Sequence, residues 1–191
     1  MTDATLKPVL IVLIDGFADW ETPLIAAVGR DFYGLPVRHA TPGGGDLTSI
    51  GGLRVTGLPD IAVQGDEVIV LCGSEGWTCP DAPDLAELLR QAHGRGQTIA
   101  GICAGTLALG RAGLLEGRAH TSNSLDFLRH HLPDYGGAGH YRDQPRAVAE
   151  GGIITAPGSA PATFAAEVLA AAGLDAERLA GFRGMAGAEH R

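Results

Sequence analysis

One cysteine lies where the chain is expected to turn sharply from a strand into a helix. Cys103 stands between Gly101 and Gly105 in the stretch GICAG, which fits the pattern glycine, any residue, nucleophile, any residue, glycine. Flanking glycines permit a tight turn that lifts the nucleophile clear of the sheet, often in a strained backbone conformation. The helix start beneath it offers unpaired N–H groups and a positive partial charge, which stabilise a thiolate.

We therefore expect Cys103 to be a reactive thiol with a depressed pKa. The backbone N–H of Ala104 is expected to point to the place where an oxyanion would form. The competing interpretation is a structural cysteine buried in a turn rich in glycine and alanine, because cysteine is common in protein cores.

An acidic residue is the second candidate for chemistry. Glu21 follows the first predicted strand, in the stretch DGFADWET. If burial and a neighbouring negative charge raise its pKa, its protonated carboxyl can donate a hydrogen bond to the Cys103 thiolate. Acidic residues are also common near helix starts, so an ordinary structural glutamate is the alternative.

A cysteine hydrolase also needs a base, which is usually a histidine. His120, on a short strand predicted after the Cys103 helix, is the first candidate among the seven histidines, and His140 is the second. For each of them a structural histidine is an equally open interpretation. The histidines expected to be solvated, at helix ends or in the tail, are His93, His130, His131 and His190.

Alternating strands and helices must position these residues. Strands are predicted at 9–14, 35–41, 67–71, 98–102 and 119–121, with a hairpin over 147–155 that turns at 150–152. Helices are predicted at 22–29, 80–93, 104–112, 124–129 and 159–172, with Ser124 and Ser159 as N-caps. Residues 55–66 are expected to be a loop with at most a short strand.

The alternation predicts a mostly parallel sheet with helices on both faces, which is a three-layer α/β/α sandwich. Continuous apolar runs such as 9–14 are typical of parallel strands buried on both faces. In such sheets, sites lie beyond the carboxyl ends of the strands. Residues 15–21, residues 73–77 and Cys103 all follow predicted strands.

Length and composition restrict the class of protein. With 191 residues, 45% of them hydrophobic, the chain is expected to form one domain over 1–191. The glycine- and alanine-rich residues 182–191 are expected to fray. A formal net charge of -8 and an aromatic content of 5% disfavour nucleic acid and anionic membranes as partners.

Location and cofactors follow from two further patterns. No apolar run approaches 18 residues, and the first run is too short for a signal peptide and lacks a basic leader. We therefore expect a cytoplasmic protein without a membrane span. Three cysteines, Cys72, Cys79 and Cys103, cannot all pair and show no CxxC spacing, so neither a disulfide framework nor a zinc site or other cofactor is expected.

Taken together, these segments resemble the DJ-1/PfpI family of the class I glutamine amidotransferase-like superfamily. The segments that carry the resemblance are PVLIVLIDGFADWET, VIVLCGSEGW, IAGICAGTLALGRAGLLEGRAHTSN and GGIITAPGSAPATFA. Within the family, FADWE and HTSN are most similar to the bacterial branch labelled intracellular protease/amidase.

The resemblance implies a flavodoxin-like sandwich that is usually a homodimer. It implies that Cys103 is the cysteine of the nucleophile elbow and that Glu21 faces it. It also implies that the backbone N–H groups of Gly73 and Ser74 join that of Ala104 in an oxyanion hole.

Three departures from the family pattern bear on activity. Ala104 stands where PfpI-type peptidases carry a histidine directly after the nucleophile. Ser122 or Asn123 stands where the parkinsonism-linked branch has a histidine, and the late segment APGSAPATF lacks the histidine of true glutaminases. We therefore expect neither a PfpI-like peptidase triad nor glutaminase activity. Ser122 and Asn123 are expected in the pocket, and Trp77 either at the pocket entrance or in simple packing.

Two functions stay open at this point. The first is a cysteine-dependent hydrolase or lyase for a small carbonyl or amide substrate, in which Cys103 attacks and Glu21 shuttles a proton. The second is a redox or oxidative-stress sensor, in which Cys103 is oxidised and Glu21 hydrogen-bonds the sulfinate. A resolving thiol, Cys72 or Cys79, close to Cys103 would favour the sensor.

Overall fold

A six-stranded sheet forms the centre of the computed structural model, which describes residues 5–188. Its strands are β1 (Val9–Val12), β2 (Val37–Ala40), β5 (Val68–Leu71), β6 (Ile99–Ile102), β7 (Val148–Glu150) and β8 (Ile153–Ala156), in the order β2-β1-β5-β6-β8-β7. Neighbouring strands are parallel except for β7 and β8, which form an antiparallel hairpin. A separate antiparallel hairpin consists of β3 (Gly45–Thr48) and β4 (Arg54–Leu58).

Helices cover both faces of this sheet. They are α1 (Gly29–Tyr33), which a π-helical segment (Leu24–Val28) precedes, α2 (Ala86–Gly94), α3 (Thr106–Arg111), α4 (Leu125–His131), α5 (Pro161–Ala171) and α6 (Ala176–Ala186). Short 3₁₀ turns lie at Glu75–Thr78, Cys103–Gly105 and Gly137–His140. In the part of the chain that the structure describes, no helix is long and apolar enough to cross a membrane.

Two apolar layers hold the sheet between its helices. Successive side chains of a strand point to opposite faces, so Val9 and Ile11 belong to one layer while Leu10 and Val12 belong to the other. All four are fully buried, and each large apolar side chain buried in this way contributes roughly 1.5–3 kcal/mol. Burial on both faces explains the continuous apolar runs, and the predicted three-layer α/β/α arrangement is confirmed.

Several local predictions are confirmed. Ser124 caps α4, because its hydroxyl accepts a hydrogen bond from the Phe127 N–H at 2.9 Å. The β7–β8 hairpin turns at Gly151 and Gly152, whose positive φ angles of 58° and 77° suit glycine.

Other local predictions are wrong. Residues 182–186 do not fray, because they belong to α6 and Phe182 is fully buried, while residues 189–191 lie outside the described residues. Ser159 is not an N-cap, because α5 begins at Pro161 after Ala160. The strand predicted at 119–121 is reduced to a single bridge between His120 and Tyr141.

Candidate active site

The chain changes from strand to helix at Cys103. β6 ends at Ile102, a 3₁₀ turn follows, and α3 begins at Thr106. Cys103 has a φ of 55°, and it is the only non-glycine residue with a positive φ among residues 5–188. This left-handed conformation costs an L-residue on the order of 1–3 kcal/mol, so the surrounding packing must hold it in place.

Both glycines around Cys103 are required by close packing. A Cβ atom on Gly105 would lie 2.4 Å from the carbonyl oxygen of Leu71 on β5. A Cβ atom on Gly101 would lie 2.9 Å from a Leu109 methyl group of α3. The GICAG pattern therefore lets the turn lie directly against the neighbouring strand.

The Glu21 carboxyl is buried beside this turn. Its Oε2 accepts a hydrogen bond from the Gly73 N–H at 2.6 Å and another from the Cys72 thiol at 3.7 Å. Its Oε1 has no hydrogen-bond partner of good geometry among the described residues. A Cβ atom on Gly158 would lie 3.1 Å from this Oε1 and 3.0 Å from Cys103 Sγ. The carboxyl and the thiol therefore converge on one space that Gly158 leaves free.

Burial dominates the ionisation of this pair. Loss of solvent raises the pKa of Glu21, against smaller opposing effects of the Gly73 N–H and the two neighbouring thiols. Loss of solvent also raises the pKa of Cys103, and the negative charge of Glu21 acts in the same direction. The Asn123 amide and the Ala104 N–H lower it by less. The predicted depression of the Cys103 pKa is therefore wrong, because desolvation outweighs the favourable dipoles.

Asn123 ties the Cys103 sulfur to the opposite loop. Its Oδ1 accepts the Gly158 N–H at 3.0 Å, and its Nδ2 donates to Cys103 Sγ at 3.2 Å. A backbone N–H can only donate, so the amide must present its own N–H to the sulfur. The predicted neighbour Ser122 instead shares a buried hydrogen bond with Thr106 at 2.7 Å, and it does not line the pocket.

His120 occupies a structural position. It is fully buried, its Nδ1 lies 2.7 Å from the carbonyl oxygen of Arg118, and its Nε2 is hydrogen-bonded to the Tyr135 hydroxyl. The ring packs edge-on against Tyr135 and Tyr141. Both ring nitrogens are thus occupied away from Cys103, which contradicts the prediction of a catalytic base. His140, the second candidate, is exposed on a 3₁₀ turn.

Trp77 does not line the entrance. It is fully buried, and its indole N–H donates to the Cys72 carbonyl at 2.8 Å. The tryptophan at the pocket is Trp20, which is half exposed and donates to the Gly158 carbonyl at 3.0 Å.

A cavity of about 550 Å³ opens in front of Cys103. The expected residues in its wall are Gly73, Ser74, Ala104 and Asn123, and the residues that sequence analysis missed include Trp20, Ile50, Phe127 and His131. The Gly73 N–H is directed to Glu21 rather than to this cavity. The helical spacing of Phe127 and His131 could have indicated both residues, because positions four residues apart lie on the same face of a helix.

The two other cysteines lie in different surroundings. Cys72 is buried, and its thiol donates to Oε2 of Glu21, the carboxyl oxygen that also accepts the Gly73 N–H. Burial and the Glu21 charge raise the Cys72 pKa well above its usual value. Cys79 is exposed and lines an adjoining cavity rather than the Cys103 cavity.

Comparison with known proteins gives consistent matches. The sequence profile of the DJ-1/PfpI family matches residues 7–171. A Bacillus subtilis protein named uncharacterized protease YoaZ is 37% identical over 128 residues, which are 64% of this chain and only 60% of that protein's length.

Solved structures extend the similarity to nearly the whole chain. The DJ-1 superfamily protein Atu0886 from Agrobacterium tumefaciens is 42% identical with a TM-score of 0.89, over 97% of this chain and 100% of that chain. A thiJ/pfpI family protein from Bacillus anthracis is 29% identical with a TM-score of 0.83, over 97% of this chain and 92% of that chain. The flavodoxin-like fold expected from the sequence is thereby confirmed.

Proposed function

Because the chain belongs to the DJ-1/PfpI family, we propose that it is a cysteine-dependent hydrolase or lyase for a small carbonyl or amide substrate. Cys103 is the nucleophile and Glu21 is its proton carrier. The observation that carries this proposal is the convergence of Cys103 Sγ and the unpartnered Oε1 of Glu21 on one point beside the cavity. The word protease in the name of YoaZ keeps the amide class in the proposal.

The raised pKa values of both groups suit a transfer of one proton between them. As the Cys103 sulfur bonds to the carbonyl carbon, its proton passes to the Glu21 carboxylate and the π electron pair of the carbonyl moves to oxygen. The proton can then pass from Glu21 to that oxygen or to a departing amine. A carboxyl whose pKa is raised towards the working pH is effective in both directions.

The developing oxyanion needs donors in the wall of the cavity. Ala104 and Ser74 both line it, and we propose their backbone N–H groups as those donors. Gly73 is left out of this role because its N–H is hydrogen-bonded to Glu21. Gly73 instead orients the carboxyl on which the proton transfer depends.

Oxidative sensing is the second candidate function, and Cys72 is the observation that favours it. A second thiol, that of Cys72, lies 3.7 Å from Oε2 of Glu21, on the same carboxyl that faces Cys103. In this reading, a peroxide oxidises Cys103 to the sulfenic acid and then to the sulfinic acid, and Glu21 hydrogen-bonds the product. A homodimer and a cytoplasmic location stay predictions from the sequence.

Turnover and oxidation measured in parallel distinguish these functions. The wild type, Cys103→Ser and the control Cys79→Ser are assayed with methylglyoxal and with a small amide, and their intact masses are followed during stepwise addition of peroxide. We expect turnover in the wild type and in Cys79→Ser, and none in Cys103→Ser. Turnover that persists in Cys103→Ser would overturn the proposal. Two oxygens gained on Cys103 at low peroxide, without any turnover, would establish the sensor instead.

A further inference from the structure

We infer that His131 is the general base that activates water against the acyl group held on Cys103, an inference that rests on the proposed hydrolase function. His131 is the last residue of α4, and it lines the same cavity as Cys103. It is the only described histidine in the wall of that cavity. Its place at a helix end predicts a solvated histidine, whereas the structure includes it in the wall of the cavity.

The start of α4 is fixed relative to the nucleophile. Ser124 caps the helix, and the preceding Asn123 hydrogen-bonds the Cys103 sulfur. One turn further on, the Phe127 ring also lines the cavity and lies 4.9 Å from the His131 ring, centroid to centroid. A short helix anchored at Cys103 therefore carries both rings along one face to the cavity wall.

Burial and neighbouring positive charges favour the neutral form of the His131 imidazole. His130 packs edge-on against it with ring centroids 4.7 Å apart, and Arg111 at the end of α3 faces it. Loss of solvent, together with the charges of His130 and Arg111, lowers the pKa of His131. Glu75 and Cys103 line the same cavity. Because the usual pKa of histidine is already near 6.5, the ring is neutral at pH 7 and can accept a proton.

A base is needed in the wall of the cavity at this step. Glu21 has passed the thiol proton to the departing amine, and its buried carboxylate does not line the cavity in which the attacking water must lie. His120 is hydrogen-bonded through both ring nitrogens. In the hydrolytic step the water oxygen bonds to the acyl carbon while its proton passes to His131. The carbon–sulfur bond then breaks, the Cys103 sulfur takes up the proton that His131 received from water, and the acid product leaves. Cys103, Glu21 and His131 are then in their starting protonation states.

An activated ester allows the deacylation step to be measured without the natural substrate. p-Nitrophenyl acetate would acetylate Cys103 directly, and intact mass would follow the loss of the acetyl group in the wild type, His131→Gln and His131→Asn. His130→Gln is the matched control, because His130 is adjacent on the same helix end and does not line the cavity. We expect deacetylation to slow about 100-fold in both His131 variants, with the rate of acetylation and the melting temperature unchanged.

The pH profile supplies a readout that a structural role would not change. In the wild type the deacetylation rate should fall on the acid side of pH 6.5 as the imidazole gains a proton. His130→Gln should keep this acid limb and move it to higher pH, because a positive neighbour that lowers the pKa of His131 is lost. The acid limb should be missing in His131→Gln. Equal deacetylation rates and pH profiles in the wild type and His131→Gln would overturn the inference and leave the proposed function standing. A wild type that is not acetylated on Cys103 would instead refute the proposed nucleophile, and the inference with it.

Discussion

At the scale of single residues, the Asn123 amide is the strongest favourable contact of the Cys103 sulfur. It donates to Sγ at 3.2 Å, and it is the largest influence that lowers the pKa of Cys103. Asn123→Ala should therefore raise that pKa further, because burial remains and the donor is lost. The pH dependence of the rate of alkylation by iodoacetamide measures the change. We expect alkylation at pH 8 to be several-fold slower than in the wild type.

Asn123→Asp supplies the control for this prediction. A carboxylate at this place removes the donor and adds a second negative charge near the sulfur, so its effect should have the same sign and be larger. If neither variant shifts the alkylation profile, the contact between Asn123 and Cys103 does not exist in solution.

Residue types and spacing indicated Cys103 and Glu21, because their chemistry depends on their place at the ends of strands, while Asn123 was indicated, together with Ser122, only by the family resemblance. They indicated the wrong direction for the Cys103 pKa, because that direction depends on how far burial exceeds the effect of local dipoles. The direction in which each side chain points could not be predicted from the sequence either. Trp77 points into the core while His131 lines the cavity, and nothing in the local pattern distinguishes these outcomes.

At the scale of elements, the approach of the Cys103 turn to β5 depends on one glycine. A Cβ atom on Gly105 would lie 2.4 Å from the Leu71 carbonyl oxygen, which belongs to a central strand and cannot move aside. Gly105→Ala should therefore lower the free energy of unfolding by about 3 kcal/mol and displace Cys103. Urea denaturation followed by circular dichroism measures this loss.

Gly184→Ala in α6 is the matched control for Gly105→Ala. A Cβ atom there meets no described atom within 4 Å, and alanine favours a helix by about 1 kcal/mol over glycine. This variant should be as stable as the wild type or more so. Equal stability of Gly105→Ala and the wild type would show that the turn lies further from β5 than the structure has it.

Elements with a strong apolar pattern were predictable, and elements held by backbone contacts were not. β1, β5, β6 and β8 are entirely buried, which gives them continuous apolar runs. β3 and β4 are largely exposed. Their hairpin is attached to the loop after β1 by backbone hydrogen bonds, such as the one from Gly16 N–H to the Thr48 carbonyl at 2.8 Å. Residue type does not indicate such hydrogen bonds, because the backbone groups that form them are common to nearly all residues.

At the scale of the whole molecule, the buried Glu21 carboxyl links stability to pH. Its pKa is raised in the folded state, so the folded chain binds more protons than the unfolded chain once pH exceeds the unfolded value near 4.3. Stability from this group is fully present below that value and is lost as pH rises through the folded pKa. Above the folded pKa, the wild type carries a buried charge that Glu21→Gln does not have.

Glu21→Gln should therefore gain stability relative to the wild type as pH rises. At pH 4 the two melting temperatures should differ little, because the Glu21 carboxyl is then protonated in the folded chain. At pH 8 the variant should melt at the higher temperature while losing turnover, since a glutamine cannot carry the Cys103 proton. Calorimetric melting at both pH values measures the difference, with Glu75→Gln as an exposed control. A difference independent of pH would mean that Glu21 titrates normally, and a carboxyl of that kind could not serve as the proton carrier for Cys103.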